Sequence, residues 1–108
     1  MSGLNWDKNF ALEQAADDAE LLQELLDIFK ESCANDIALI KSGLDSQDSS
    51  QVRGAAHSIK GAAASLGILG IRDLAMSIEL DARDGGLGVA QEKIAQLEAL
   101  SRELLSIQ

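Results

Sequence analysis

The chain of 108 residues contains a single histidine, His57, and the side chains spaced around it are the ones that could do chemistry. A neutral imidazole is a nucleophile, and histidine is the side chain whose charge changes closest to pH 7. Lys60 follows three residues later and Gly61 four residues later, within the stretch Gly-Ala-Ala-His-Ser-Ile-Lys-Gly-Ala-Ala-Ala-Ser-Leu-Gly from Gly54 to Gly67. Its alanine content and lack of proline favour a helix. At ~100° per residue, Val52, Ala56, Ile59, Ala63 and Leu66 then line one apolar stripe, and His57 stands roughly 160° from Ile59 on the opposite face. Ser50, Arg53, Gly54, Lys60, Gly61 and Ala64 share that outer face. The imidazole is expected to stand in water, with a cation beside it and little side-chain bulk around it. Gly54 and Gly61 each cost about 1 kcal/mol relative to alanine inside a helix. Two such residues beside an exposed histidine suit a helix that another protein must approach closely. Against this, a lone histidine is ordinarily a surface residue with no task, and spacing alone leaves the two readings even.

The elements that must position His57 follow from apolar periodicity. Residues 4 to 15 read as a short helix with Leu4, Trp6, Phe10 and Leu12 as its apolar contacts, expected to lie across one end of the molecule. Asp17 and Asp18 open a long helix, as N-cap and first-turn anion. Leu22, Leu25, Leu26, Phe29, Cys33, Ile37, Ile40 and Leu44 follow at steps of three and four residues. Cys33 falls inside that stripe and reads as a small core residue. Asp48 and Gln51 have capping-box spacing, so the histidine helix should begin near Ser49 and end at Gly67, a suitable left-handed cap. A further helix is expected from about Leu69 to Ala82, with Ile71, Leu74, Ala75 and Ile78 inward. Asp84-Gly85-Gly86-Leu87-Gly88 is a loop, and a last helix spans roughly Val89 to Ser106 with Ile94, Leu97, Leu100 and Leu104 on its stripe. No strand-like alternation is present. Four amphipathic helices with short connections predict an all-α fold, an antiparallel up-down four-helix bundle with the short N-terminal helix capping one end.

Composition narrows the class. The length suits a single domain over residues 1–108, and 46% hydrophobic residues suit a globular one. Only three residues are aromatic and none is proline, the bias of a helical bundle. A net charge of −9 argues against nucleic-acid and anionic-membrane partners, which select basic surfaces. No apolar run approaches the ~18 residues of a membrane span, and the first residues lack the pattern of a signal peptide. One cysteine forms no internal disulfide, which fits a reducing cytoplasm. One cysteine and one histidine do not make a structural zinc site, so no metal is expected.

Ala56-His57-Ser58-Ile59-Lys60-Gly61, followed by Leu66-Gly67, Ile71, Leu74, Ile78-Glu79 and Ala82-Arg83, resembles the histidine-containing phosphotransfer (HPt) domain. That family reads roughly A-H-x-[LI]-K-G-x-x-x-x-[LIV]-G, then spaced aliphatics and a hydrophobic-Glu pair. The motif covers the middle third of the chain and the helix plan nearly all of it. Ser65 stands where the family often has asparagine, and Ile68 where it often has a small residue. The resemblance implies a phosphorelay protein that accepts a phosphoryl group from the aspartate of one receiver domain and passes it to another. His57 would be the phosphoacceptor and Lys60 the stabiliser of the phosphoryl group. Gly61, Arg53, Gly54, Ala64, Ser65 and Ile68 would form the docking surface for receivers, whether of response regulators or hybrid sensor kinases. Receivers carry their own magnesium, so no cofactor is expected here, and the plan resembles the monomeric kind.

The chemistry agrees with that implication. Attack through nitrogen gathers negative charge beside the ring, and a lysine one turn away meets it as donor and point charge. Arg53 and Lys60, two of nine basic residues, share the histidine's face and make a local positive patch. With no glycine-rich ATP loop, the chain reads as a phosphocarrier and not as an enzyme in the strict sense. The alternative is an HPt-like interaction module whose histidine is not phosphorylated; retention of both His57 and Lys60 argues against it. A small hydrolase would need a second titrating group, and positions 53, 54, 60, 61 and 64 on the outer face supply no carboxylate.

Overall fold

Aspartates open the first three of five helices in the computed structural model, which describes residues 3–106. Asp7 accepts a hydrogen bond from the Phe10 N–H (3.0 Å) and starts α1, Lys8–Gln14. Asp18 accepts from the N–H groups of Glu20 and Leu21 and starts α2, Ala19–Asp45. Asp48 accepts from Gln51 N–H (3.1 Å) and starts α3, Ser49–Ser65. Each satisfies donors that a helix N-terminus would otherwise leave unpaired. Helices α4, Leu69–Arg83, and α5, Gly88–Leu105, have no side-chain cap of this kind at their own first residue. For α5 the Asp81 carboxylate reaches across from α4 and accepts from Val89 N–H at 3.1 Å.

Three of the chain reversals share one closing motif. After α3, Ile68 N–H donates to Ala63 C=O and Gly67 N–H to Ala64 C=O, with Gly67 in the left-handed region at φ +69°. Gly86 and Gly85 repeat the pair onto Asp81 and Ala82 after α4, and Asp48 and Gln47 repeat it onto Gly43 and Leu44 after α2. This doubly bonded cap stops a helix and turns the chain within two or three residues. Short turns make neighbours of consecutive helices: α2 packs on α3, α3 on α4 and α4 on α5, while α2 also packs on α5.

The stripes meet in one core. Leu22, Leu26, Phe29, Cys33, Ile37 and Ile40 of α2 are buried together with Val52, Ala56, Ile59 and Ala63 of α3. Ile71, Leu74, Ala75 and Ile78 of α4 and Leu97, Leu100 and Leu104 of α5 complete it. Burial pushes the Cys33 thiol up to about 11, which leaves it protonated and unreactive as a core residue. Among the described residues no strand forms, only an isolated antiparallel bridge between Trp6 and Ile68, and no helix is long and apolar enough to cross a membrane.

The N-terminal segment departs from expectation. Its helix begins at Lys8 and not at residue 4, because Leu4 to Asp7 is bonded to the α3–α4 corner instead. Gly70 N–H donates to Leu4 C=O, Asp7 N–H to Gly67 C=O, and the Trp6 indole N–H to Leu66 C=O at 3.0 Å. Leu4, Ala11 and Ala15 take the inward positions, and Phe10 is left 37% exposed rather than packed inside. The capping box at Asp48 is half made: the Gln51 amide does not return to Asp48 but donates to Leu39 C=O of α2 at 2.9 Å.

Candidate functional site

α3 is held to the core by Val52, Ala55, Ala56, Ile59 and Ala63, so its rotation about its own axis is settled by packing. His57 therefore faces outward, with 67% of its side chain exposed. Beside α3 runs α4, and Ile78, wholly buried, fixes the direction in which the next residue leaves the core. That residue is Glu79. Its carboxylate, 13% exposed, lies against α3 and touches two residues there. Oε2 is 2.6 Å from His57 Nδ1, and Oε1 is 2.6 Å from Lys60 Nζ.

The hydrogen bond from Lys60, aided by one from His57, holds the Glu79 carboxyl below the ordinary carboxylate range, against the opposing effect of its partial burial. An ionised carboxylate only accepts hydrogen bonds. The short contact therefore requires the proton of the neutral imidazole to sit on Nδ1. The lone pair is then on Nε2, the ring nitrogen turned away from Glu79. With the imidazole neutral, His57, Glu79 and Lys60 carry no net charge between them, and the unprotonated nitrogen is the one turned away from Glu79.

One groove borders this unit, and a second lies farther along α3. The first, of about 300 Å³, is lined by Ser50, Arg53, Gly54, His57 and Glu79. The other, of about 340 Å³, lies between α2 and α3 and includes Leu25, Ile28, Phe29, Ala62, Ser65 and Leu66. Among the described residues no group of three or more histidine, cysteine or acidic side chains is placed to hold a metal ion.

The Hpt domain family matches residues 24–106. The chain belongs to the Hpt domain family. Its fold is similar to that of histidine-containing phosphotransfer protein B (HptB) from Pseudomonas aeruginosa PAO1, with a TM-score of 0.85 over 93% of this chain and 87% of that one. The two sequences are 23% identical, so this likeness speaks to the fold alone. Comparison with curated proteins gives no match.

In this Hpt domain the expected outer face of α3 is largely assembled. Arg53, Gly54, His57, Gly61 and Ser65 are exposed, and Lys60 and Ala64 are half-exposed. A Cβ placed on Gly54 or Gly61 would meet nothing within 4 Å, so both glycines border open space. Ile68 does not belong with them. It is wholly buried, because the cap after α3 turns it inward and the bridge to Trp6 covers it. An inward-facing Ile68 is a core residue and not part of a docking surface.

Lys60 differs in a second way. Its ammonium does not stand free beside the imidazole; it is paired with Glu79. Glu79 is the residue that periodicity on α3 alone missed. That helix carries no carboxylate near His57, but α4 supplies one. The signal was the Ile78-Glu79 pair of the family pattern together with its position: Glu79 directly follows Ile78 of the α4 stripe and so emerges at the seam with a neighbouring helix. Ile28 of α2, 64% exposed beside the second groove, was also outside the expected surface.

Proposed function

We propose that this Hpt domain is a phosphocarrier, in which His57 Nε2 takes a phosphoryl group from a receiver-domain aspartate and returns it to another. The observation that carries the reading is the contact between the exposed His57 and the ionised Glu79, which leaves Nε2 as the free nucleophile. In the forward step the Nε2 lone pair attacks phosphorus, the N–P bond forms, and the bond from phosphorus to the aspartyl oxygen breaks. The aspartate leaves as a carboxylate. The ring gains positive charge as it is phosphorylated, and the Nδ1–H is where Glu79 meets that charge. Transfer onward is the same step reversed with a second aspartate.

Lys60 stabilises the phosphorylated state by cancelling the charge of Glu79. Without it, a carboxylate would stand across the ring from a phosphoryl group bearing roughly two negative charges. Gly54, Gly61 and Ser65 keep the approach low, so a receiver can bring its aspartate to the ring. The four long helices are read as an antiparallel bundle with α1 across one end, supported by the closed set of contacts among α2 to α5. The domain acts as a monomer on receivers, with no cofactor of its own.

A panel of receiver domains, each phosphorylated beforehand on its aspartate, tests the reading. Label should move from at least one of them to this protein, and from the labelled protein to a second receiver. Stable binding of receivers without any transfer of label would make the chain a docking module instead.

A further inference from the structure

The charges around His57 leave one requirement unmet. Glu79 and Lys60 neutralise each other at 2.6 Å, so the unit has no net positive charge to answer the group that His57 would carry. A phosphoryl group brings roughly two negative charges and three strong acceptor oxygens. The cation that lines the same groove as the imidazole is Arg53. It lies four residues before His57 on α3, the spacing at which helix side chains are direct neighbours. Among the described residues no carboxylate forms an ion pair with Arg53. Arg53 is exposed, and Ser50 lines the same groove.

We propose that Arg53, and not Lys60, is the side chain that grips the phosphoryl group on His57. This assignment rests on His57 being the phosphoacceptor. The two cations then have separate tasks. Lys60 serves the Nδ1 edge of the ring through Glu79, while Arg53, in the groove that His57 and Glu79 also line, would meet the new charge directly. A guanidinium suits that task because its planar fork pairs two N–H groups with two phosphoryl oxygens. Gly54, next in the chain, adds no side chain to the groove, and a Cβ there would meet nothing within 4 Å. The groove, of about 300 Å³, has room for a phosphoryl group beside the ring. Arg53 becomes a catalytic residue for uptake and a determinant of how long the phosphohistidine survives.

A donor too small to dock separates this role from protein recognition. Phosphoramidate delivers a phosphoryl group directly: Nε2 attacks phosphorus, the donor's P–N bond breaks, and its amino group leaves as ammonia. Wild type, Arg53→Ala, Arg53→Lys and Arg102→Ala are labelled with it, and label is then followed after the donor is removed. Arg102 is exposed on α5 and lines a different groove, so it controls for net charge. Arg53→Ala should be labelled roughly tenfold more slowly, the scale of one lost charge-assisted contact. Its label should also be shorter-lived, Arg53→Lys should recover part of both losses, and Arg102→Ala should match wild type. Equal thermal unfolding of the variants checks that the exposed substitution leaves the fold intact. Wild-type labelling rates and lifetimes in Arg53→Ala, with slowing seen only when a receiver is the donor, would overturn the proposal and leave Arg53 a docking charge. A wild type labelled by neither phosphoramidate nor any receiver would sink the phosphoacceptor reading itself, and this assignment with it.

Discussion

Glu79 and His57 are 22 residues apart in sequence and 2.6 Å apart in space, carboxylate oxygen to Nδ1. The contact determines which imidazole nitrogen is free to react, and it does so from a different helix than the one that carries the histidine. Nitrogen-15 shifts of the imidazole should therefore show a protonated Nδ1 and a bare Nε2 in the neutral wild-type protein. Glu79→Ala should lose that preference and slow phosphoryl transfer by roughly 10- to 100-fold, by analogy with removing the carboxylate that orients a metal-ligating histidine. An unchanged tautomer in Glu79→Ala would mean that the carboxylate does not orient the ring.

The same carboxylate gives stability a pH signature. Its pKa is lowered in the folded protein, chiefly by Lys60. A depressed carboxyl stabilises the fold above its unfolded pKa, and that contribution is lost as pH falls through the depressed folded value. The gap in Tm between wild type and Glu79→Gln should thus be widest near neutrality. It should shrink from the ordinary glutamate pKa of about 4.3 downward. A gap that grows on acidification has the wrong sign for this ion pair.

Gly61 and Gly70 should respond oppositely to added side chains. A Cβ on Gly61 would meet nothing within 4 Å, whereas one on Gly70 would run into the carbonyl of Gly3, with Leu4 O also close. Gly61→Leu should fold as well as wild type or up to about 1 kcal/mol better, leucine being the stronger helix former, yet transfer from receivers should slow strongly. Gly70→Ala should lose about 1–3 kcal/mol, the common penalty of overpacking. Chemical denaturation and transfer rates, measured on both variants, check the pair. Unfolding of Gly61→Leu would make that glycine a packing residue.

Most of the scaffold around this site was legible from spacing. The stripes of α2 to α5 were readable because each buries one face, and Asp18, Asp48 and Gly67 mark their ends with local hydrogen-bond chemistry that needs no tertiary information. His57 was exposed for the same reason that Ile59 was buried. What local spacing could not convey was contact between elements. Glu79 reaches His57 only through the packing of α4 on α3, and Ile68 turns inward only because Trp6 and Leu4 bind the corner it occupies. The first helix was misjudged because Leu4 to Asp7 satisfies its backbone on that same corner, which a periodicity of apolar residues does not reveal.

Lys60 should act through charge. Lys60→Ala leaves Glu79 uncompensated beside the ring and should lower transfer roughly tenfold, or about 1.4 kcal/mol. Lys60→Arg should restore part of that, since the charge is kept while the planar fork reaches differently. Salt should slow wild type more than Lys60→Ala, because in the variant screening also relieves the repulsion from the uncompensated Glu79. Transfer rates from one receiver at low and high ionic strength measure all three. Equal rates for wild type and Lys60→Ala would leave Lys60 an ion-pair partner of Glu79 with no part in transfer.

The central claim is that His57 carries the phosphoryl group, and labelling of wild type against His57→Gln tests it most directly. Both proteins are incubated with a phosphorylated receiver, and the label on each is measured before and after brief acid and brief alkali. Wild type should hold label that acid removes and alkali spares, as an N–P bond does. His57→Gln should hold none, while unfolding at nearly the wild-type temperature, because the exposed imidazole contributes little to the core. Acid-labile label persisting on His57→Gln would contradict the account.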